Sequence, residues 1–168
     1  MEFTYYSDSD WAGDRTDRKS YTGSVDRINR AVYDWGCNKQ SSVAMSSTEA
    51  EYVACSETGK DGMNAYNLTS ELHAAGSSVR VQLPMTILMD NQGAKFIAEN
   101  TVNNRRTRHI DVRYHAIKDW VKQKLFRLLY VPTDKNWADI LTKALGRVRF
   151  EYFRTCIGVV VSKTTKSG

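Results

Sequence analysis

At position 46 the periodicity of the chain changes. Before it, three apolar runs read as strands, at residues 2–7, 20–28 and 31–35; after it, residues 46–72 carry apolar side chains at helical spacing. The change is marked by two overlapping S/T-x-x-E boxes, Ser46 with Glu49 and Thr48 with Glu51, in which a hydroxyl caps the first free amides of a helix. Strands followed by a long helix must bury that helix against their sheet. Asn29 and Arg30 join the second and third strands in a tight hairpin, and a polar stretch fills 13–19. Gly59 and Gly62 are poor helix residues and predict a bend or break near Lys60.

Further along, 85–90 is a short apolar run ending in an acid, a fourth strand. Residues 92–99 form a short helix and 103–108 a basic loop. Residues 110–122 are helical, with Ile110, Tyr114, Ile117 and Val121 on one side. A fifth strand at 126–131 is ended by Pro132, and a final helix covers 138–145. Tyr152, Phe153 and Ile157 either add a last helical turn against the sheet or face other parts of a longer protein. The order predicts an α/β fold, a mixed sheet with helices on its faces. Residues 1–160 form one domain, and 161–168 a polar tail expected to be disordered.

Composition narrows the class. A chain of 168 residues, 41% hydrophobic and 26% charged, suits a single domain with an ordinary core. No apolar run has the length of a membrane span and no signal peptide opens the chain, so the expectation is an intracellular protein with no membrane partner. The three cysteines, Cys37, Cys55 and Cys156, have no close pair, which argues against a disulfide framework or zinc knuckle and for a reducing compartment. A net charge of +5 suits a polyanionic partner without proving one.

Four acids stand at the ends of elements. Asp8 and Asp90 close strand-like runs, Glu51 lies in the first turns of the long helix, and Asp139 near the start of the last. Singly, each has an ordinary reading, as a polar turn or as a partner of the helix dipole. Together, four carboxylates repel one another and stay ionised only around cations. An all-oxygen set favours a hard ion such as Mg²⁺, and two such ions about 3.5–4 Å apart can hold both the attacking and the leaving oxygen of a phosphodiester.

The succession "YSDSDWAGD", "RKSYTGS", "NKQSSVAMSSTEAEYVA", "ILMDNQGAKFIAEN", "TRHIDVRYHAIKDWV" and "VPTDKNWADILTKAL" resembles the ribonuclease H domain at the C-terminal end of copia-type LTR-retrotransposon polyproteins. The match runs over residues 5–145. It implies a ribonuclease H-like fold, a five-stranded mixed sheet flanked by helices. It also implies cleavage of the RNA strand of an RNA–DNA hybrid with two Mg²⁺ ions, Mn²⁺ substituting, beside a reverse transcriptase domain of the same polyprotein in a cytoplasmic virus-like particle. The family's four acids fall on Asp8, Glu51, Asp90 and Asp139. Asp8 bridges both metals in that pattern, Glu51 and Asp90 hold the ion on the leaving-group side, and Asp139 holds the ion that activates water. Ser47 and Thr48 match positions that touch the hybrid's minor groove, where the 2′-hydroxyl marks the RNA strand. Asn91, Gln92, Arg105, Arg106 and Arg108 are further candidates for nucleic-acid contact, the arginines equally for a solvated basic loop.

Some features depart from the wider family. Residues 131–137 hold no His, which implies slow product release. Gly62 and Asn64 replace larger helix formers, the mark of a degraded copy with a loosened helix. The hairpin is unusually polar at Asp26, Arg27 and Asp34, leaving its register open. The missing His and the loosened helix after Gly59 motivate an alternative, a non-catalytic hybrid-binding or connection module of the same fold. A DNA-cleaving nuclease or integrase with a three-acid pattern fits the motifs less well. His109 and His115, six positions apart, do not share a helix face and read as structural. Trp11, Trp35, Trp120 and Trp137 read as core or edge packing, with Trp11 the one candidate for stacking on a base.

Overall fold

The computed structural model describes residues 1–100, 110 and 112–160. Five strands, β1 (Phe3–Asp10), β2 (Tyr21–Ile28), β3 (Ala31–Lys39), β4 (Met85–Met89) and β5 (Phe126–Tyr130), form one mixed sheet in the order β3-β2-β1-β4-β5. The pairs β1–β2 and β2–β3 are antiparallel, and β1–β4 and β4–β5 parallel. The expected five-stranded α/β architecture is therefore present. Asn29 turns the hairpin with φ 54°, a left-handed value that Asn tolerates better than most residues. A register shift between Asp26 and Arg27 absorbs the polar part of that hairpin as a bulge.

β1 is the middle strand, and its two faces meet different layers. Phe3 and Tyr5 join the main core with Tyr52, Val53, Met85, Ile87, Ile117 and Phe126. That core packs under α1 (Ser47–Ala74), α2 (Gln92–Glu99) and α3 (Ala116–Lys122). Tyr6, on the other face, joins Val25 and Ala138 in a smaller cluster under α4 (Asp139–Thr142), with Trp137, Leu141 and Ile157 packed around it. A last helix, α5 (Arg147–Cys156), follows and buries Phe153.

Several sequence expectations change. β1 and β3 run on past residues 7 and 35, because the backbone ladder continues through Ser9 opposite Thr22 and Asn38 opposite Thr22. The predicted 110–122 helix is a 3₁₀ turn, Val112–His115, followed by α3. The predicted 138–145 helix shortens to α4, and the optional turn near Tyr152 is the whole of α5. Most tellingly, α1 is unbroken over 28 residues. Gly59 and Gly62 do not loosen it; they let it approach its neighbours. A Cβ on Gly62 would lie 2.8 Å from Phe126 Cζ, and one on Gly59 2.9 Å from Ile117 Cδ1. Real side chains do not approach so closely, so the helix can sit this low only with glycine there.

Among the described residues no helix is long and apolar enough to cross a membrane. The tail expected to be disordered, 161–168, lies outside the described residues.

Candidate active site

The parallel register of β1 and β4 sets Tyr6 opposite Leu88. Two residues further along each strand stand Asp8 and Asp90, at the same end of neighbouring strands. Asp8 shares the face of Tyr6, by the two-residue alternation of a strand, and so looks toward α4. Gly23, its partner on β2, makes room there: a Cβ at that position would lie 2.7 Å from Thr142 Cγ2 and 3.1 Å from the Ala138 carbonyl. The absent side chain lets α4 dock with its first residue, Asp139, against Asp8. Asp8, Asp90 and Asp139 each offer a carboxylate oxygen, and these three oxygens lie within 4.8 Å of one another. Asp8 and Asp139 are fully buried and Asp90 partly so.

The segment before α4 is fastened independently. Asn136, buried, donates from Nδ2 to the Ser7 carbonyl at 2.9 Å. The Trp137 ring stacks on Tyr6 with centroids 4.7 Å apart, and the Arg27 guanidinium lies over its ring. Trp137 is thus a packing residue, as expected.

Glu51 approaches from α1. Ser46 does cap that helix, accepting from the Glu49 amide, and Glu49 Oε2 accepts from the Met45 amide. Glu51 takes no part in a second capping box. Its Oε1 accepts from the Ser9 amide at 3.2 Å, and among the described residues its buried Oε2 has no hydrogen-bond partner. Burial, then the charges of Asp8 and Asp90, push the Glu51 carboxyl up to about 9. Burial likewise pushes Asp8 up to about 7, against the lowering pull of Lys143 and Thr142. Asp90 accepts from Thr133 Oγ1 at 2.6 Å.

Two cations enter the same pocket. Lys143 Nζ stands 3.0 Å from Asp8 Oδ1 and 2.6 Å from Asp139 Oδ1. Arg149 of α5 donates from Nη2 to Asp139 Oδ2 and to the Thr133 carbonyl. Thr142 Oγ1 donates to Asp8 Oδ2. Thr133, Asn136, Thr142, Lys143 and Arg149 were not singled out by sequence reasoning. Only Lys143 had a usable signal, its place four residues after Asp139 at the end of "ADILTK".

The residues expected to meet nucleic acid fall partly together. Ser47 is exposed and Thr48 half-buried at the start of α1. Asn91 caps α2, accepting from the Ala94 amide at 2.9 Å, and Gln92 is exposed beside it. The two helix starts abut at Gly93, where a Cβ would lie 3.1 Å from Thr48 Cγ2. Arg105, Arg106, Arg108 and His109 lie outside the described residues. His115 Nδ1 meets the Tyr52 hydroxyl at 2.8 Å, a structural contact. Trp11 is 55% exposed, with its indole N–H donated to the Ala44 carbonyl. Trp35 stands half-exposed on the edge strand β3.

No protein-family model matches the chain. It is 36% identical over 154 residues to the retrovirus-related Pol polyprotein from transposon TNT 1-94 of Nicotiana tabacum, covering 92% of this chain and 11% of that protein. To the corresponding polyprotein from transposon RE1 of Arabidopsis thaliana it is 37% identical over 154 residues, covering 92% of this chain and 10% of that one. The chain thus spans about a tenth of the length of these curated relatives. Among solved structures, LC11-RNase H1 in complex with an RNA/DNA hybrid aligns with a TM-score of 0.52 at 14% identity, over 84% of this chain and 94% of that one. RNase H1 from the halophilic archaeon Halobacterium salinarum NRC-1 aligns at 0.51 and 14% identity, over 84% and 95%. Likeness at that identity speaks to the fold alone.

Proposed function

We propose a function from this premise: the chain belongs to the retrovirus-related Pol polyproteins of copia-type transposons, in which it is the ribonuclease H-fold domain. The reading is an endoribonuclease that cleaves the RNA strand of RNA–DNA hybrids during reverse transcription. One observation carries it: three aspartates from β1, the end of β4 and the head of α4 present oxygens within 4.8 Å of one another.

The donor set fits hard divalent cations. It is all oxygen, Glu51 Oε2 is buried without a hydrogen-bond partner among the described residues, and burial lifts Asp8 and Glu51 out of the usual carboxylate range, Glu51 with a further push from Asp8 and Asp90. Asp8, Glu51, Asp90 and Asp139 would hold Mg²⁺, or Mn²⁺ in its place. Two such ions, when bound, supply water activation and stabilise the leaving oxygen. The chain's own residues orient the site. The Ser9 amide holds Glu51 by one oxygen and leaves the other free, and Thr133 fixes the Asp90 carboxylate. On the family's pattern Asp8 would serve both ions, Glu51 and Asp90 would serve the one on the leaving-group side, and Asp139 the one on the water side. The abutting helix starts at Ser47, Thr48, Asn91 and Gln92 offer hydroxyl and amide groups to the hybrid's minor groove. The partner in this reading is a reverse transcriptase domain of the same polyprotein, and the setting a virus-like particle in the cytoplasm.

The non-catalytic alternative loses one of its two supports, because α1 is continuous and tightly packed at both glycines. The test is cleavage of a labelled RNA–DNA hybrid in Mg²⁺ by the parent chain and by Asp8→Asn. A fall of at least about a hundredfold is expected. An inactive parent that still binds the hybrid would favour the alternative, and an Asp8→Asn chain as active as the parent would overturn the site.

A further inference from the structure

All four carboxylate oxygens of Asp8 and Asp139 are already taken by donors of the chain itself. Asp8 Oδ2 accepts from Thr142 and Asp139 Oδ2 from Arg149, while Oδ1 of both residues accepts from the single ammonium of Lys143, at 3.0 and 2.6 Å. A cation that binds these carboxylates competes with the three donors for the oxygen lone pairs and is repelled by the two that are charged. They are not equally held. Arg149 also donates to the Thr133 carbonyl and lies over the Phe153 ring, so its planar head is fixed from three sides. Thr142 sits on α4 itself and moves only with that helix. Lys143 follows the last residue of α4 in extended backbone, φ −128° and ψ 143°. Its side chain is 36% exposed, as is that of Arg149, so exposure does not separate the two cations; Lys143 differs in hydrogen-bonding only to the two buried aspartates among the described residues. An ammonium on a flexible four-carbon stem, with water on one side, is the donor that can leave.

The geometry points to Lys143 as a resident counter-ion that occupies the Asp8–Asp139 position in the metal-free protein, gives it up to an entering divalent ion, and so raises the ion concentration at which the site fills. This rests on the metal-binding reading above. The position is cationic in both the Lys143-filled and the ion-filled state, so in each the two buried carboxylates have a positive charge between them. The domain can then fold and persist without metal, and the apparent ion affinity is the intrinsic affinity multiplied by the fraction of molecules in which Lys143 has swung out.

The test uses the full chain, without nucleic acid, and Mn²⁺ as the probe. Binding is followed by calorimetric titration of the parent and of Lys143→Met. The metal-free and metal-loaded parent are also treated with a small amine-acylating reagent, and Lys143 modification is read by mass spectrometry. The inference expects the Lys143→Met midpoint to fall by about tenfold or more, and Lys143 acylation in the parent to rise once Mn²⁺ is bound. A midpoint that is unchanged or higher in Lys143→Met overturns it. So does acylation that stays level or falls while the parent demonstrably binds Mn²⁺, an outcome that leaves the metal site itself standing. If neither parent nor variant binds Mn²⁺, the metal-binding reading falls and takes this inference with it. Should Lys143→Met fail to fold, the acylation experiment on the parent decides alone.

Discussion

The Asn136 side-chain amide donates to the carbonyl of Ser7 at 2.9 Å, tying the loop that ends in the last acid to the residue before the first. Both groups are buried. Removing the donor leaves the Ser7 carbonyl unsatisfied, at a cost of about 1–3 kcal/mol. Asn136→Ala should lower stability by that amount in denaturant titration and should weaken divalent-ion binding. A variant with parental ion affinity would show that the tie does not position Asp139.

The pocket should make the metal-free protein pH-sensitive in an unusual direction. Burial pushes Asp8 up to about 7 and Glu51 up to about 9 in the folded chain, above the carboxylate range of the unfolded one. A carboxyl raised on folding stabilises fully below its unfolded value, and that contribution is lost as pH climbs through the folded value. Melting temperature without metal should therefore fall between pH 5 and pH 9. Added Mg²⁺ should raise it more at pH 8.5 than at pH 5. Calorimetry at both values checks this, and an equal Mg²⁺ increment would contradict it.

Asp26, outside the pocket, is also a buried acid. Asp26 on β2 faces Asp34 on β3 directly, and its Oδ1 has no partner among the described residues. Burial, then the charges of Asp61 and Asp34, push it up to about 8. By the same sign its contribution fades as pH rises toward 8. Asp26→Asn should stabilise the chain on the order of a few kcal/mol at pH 8.5 and less at pH 5, while leaving the Mg²⁺ increment unchanged. Chemical denaturation at the two pH values separates this effect from that of the pocket.

Gly62→Ala inverts an ordinary expectation. In an exposed helix interior the change stabilises by roughly 1 kcal/mol. Here the new methyl would meet the Phe126 and Tyr5 rings at 2.8 and 3.1 Å, and overpacking of this kind costs about 1–3 kcal/mol. The variant should melt lower than the parent, and Phe126→Leu should partly rescue it in the double mutant. A more stable Gly62→Ala would mean that the helix has slack over β5.

Much of the architecture could be read from residue order, because the period changes at Ser46 and the apolar runs ending at Asp8 and Asp90 are local signals. The juxtaposition of Asp8, Asp90 and Asp139 followed from motif resemblance; the reasons for it did not. Gly23 admits α4 through an absence, and nothing around it in the chain announces that. Gly59 and Gly62 misled because helix propensity is a property of neighbours in sequence, while their use is set by Ile117 and Phe126. Glu51 was legible as an acid of the site but also as a capping residue, and only one role could be filled. The helix α5 was legible only as an optional last turn at Tyr152, Phe153 and Ile157, and the inward turn of Arg149 to Asp139 depends on a tertiary contact with no local signal.

Asp8 and Lys143 are 135 positions apart, and Ser7 and Asn136 129. A growing chain therefore carries Asp8 through most of the synthesis of this domain before Lys143 and Asn136 have been made. Contacts of such long range close late, after the loop entropy between them has been overcome. Until residues 136–149 exist the pocket lacks Asp139, Lys143 and Arg149, so any ion the site is to hold must wait for the last part of the domain.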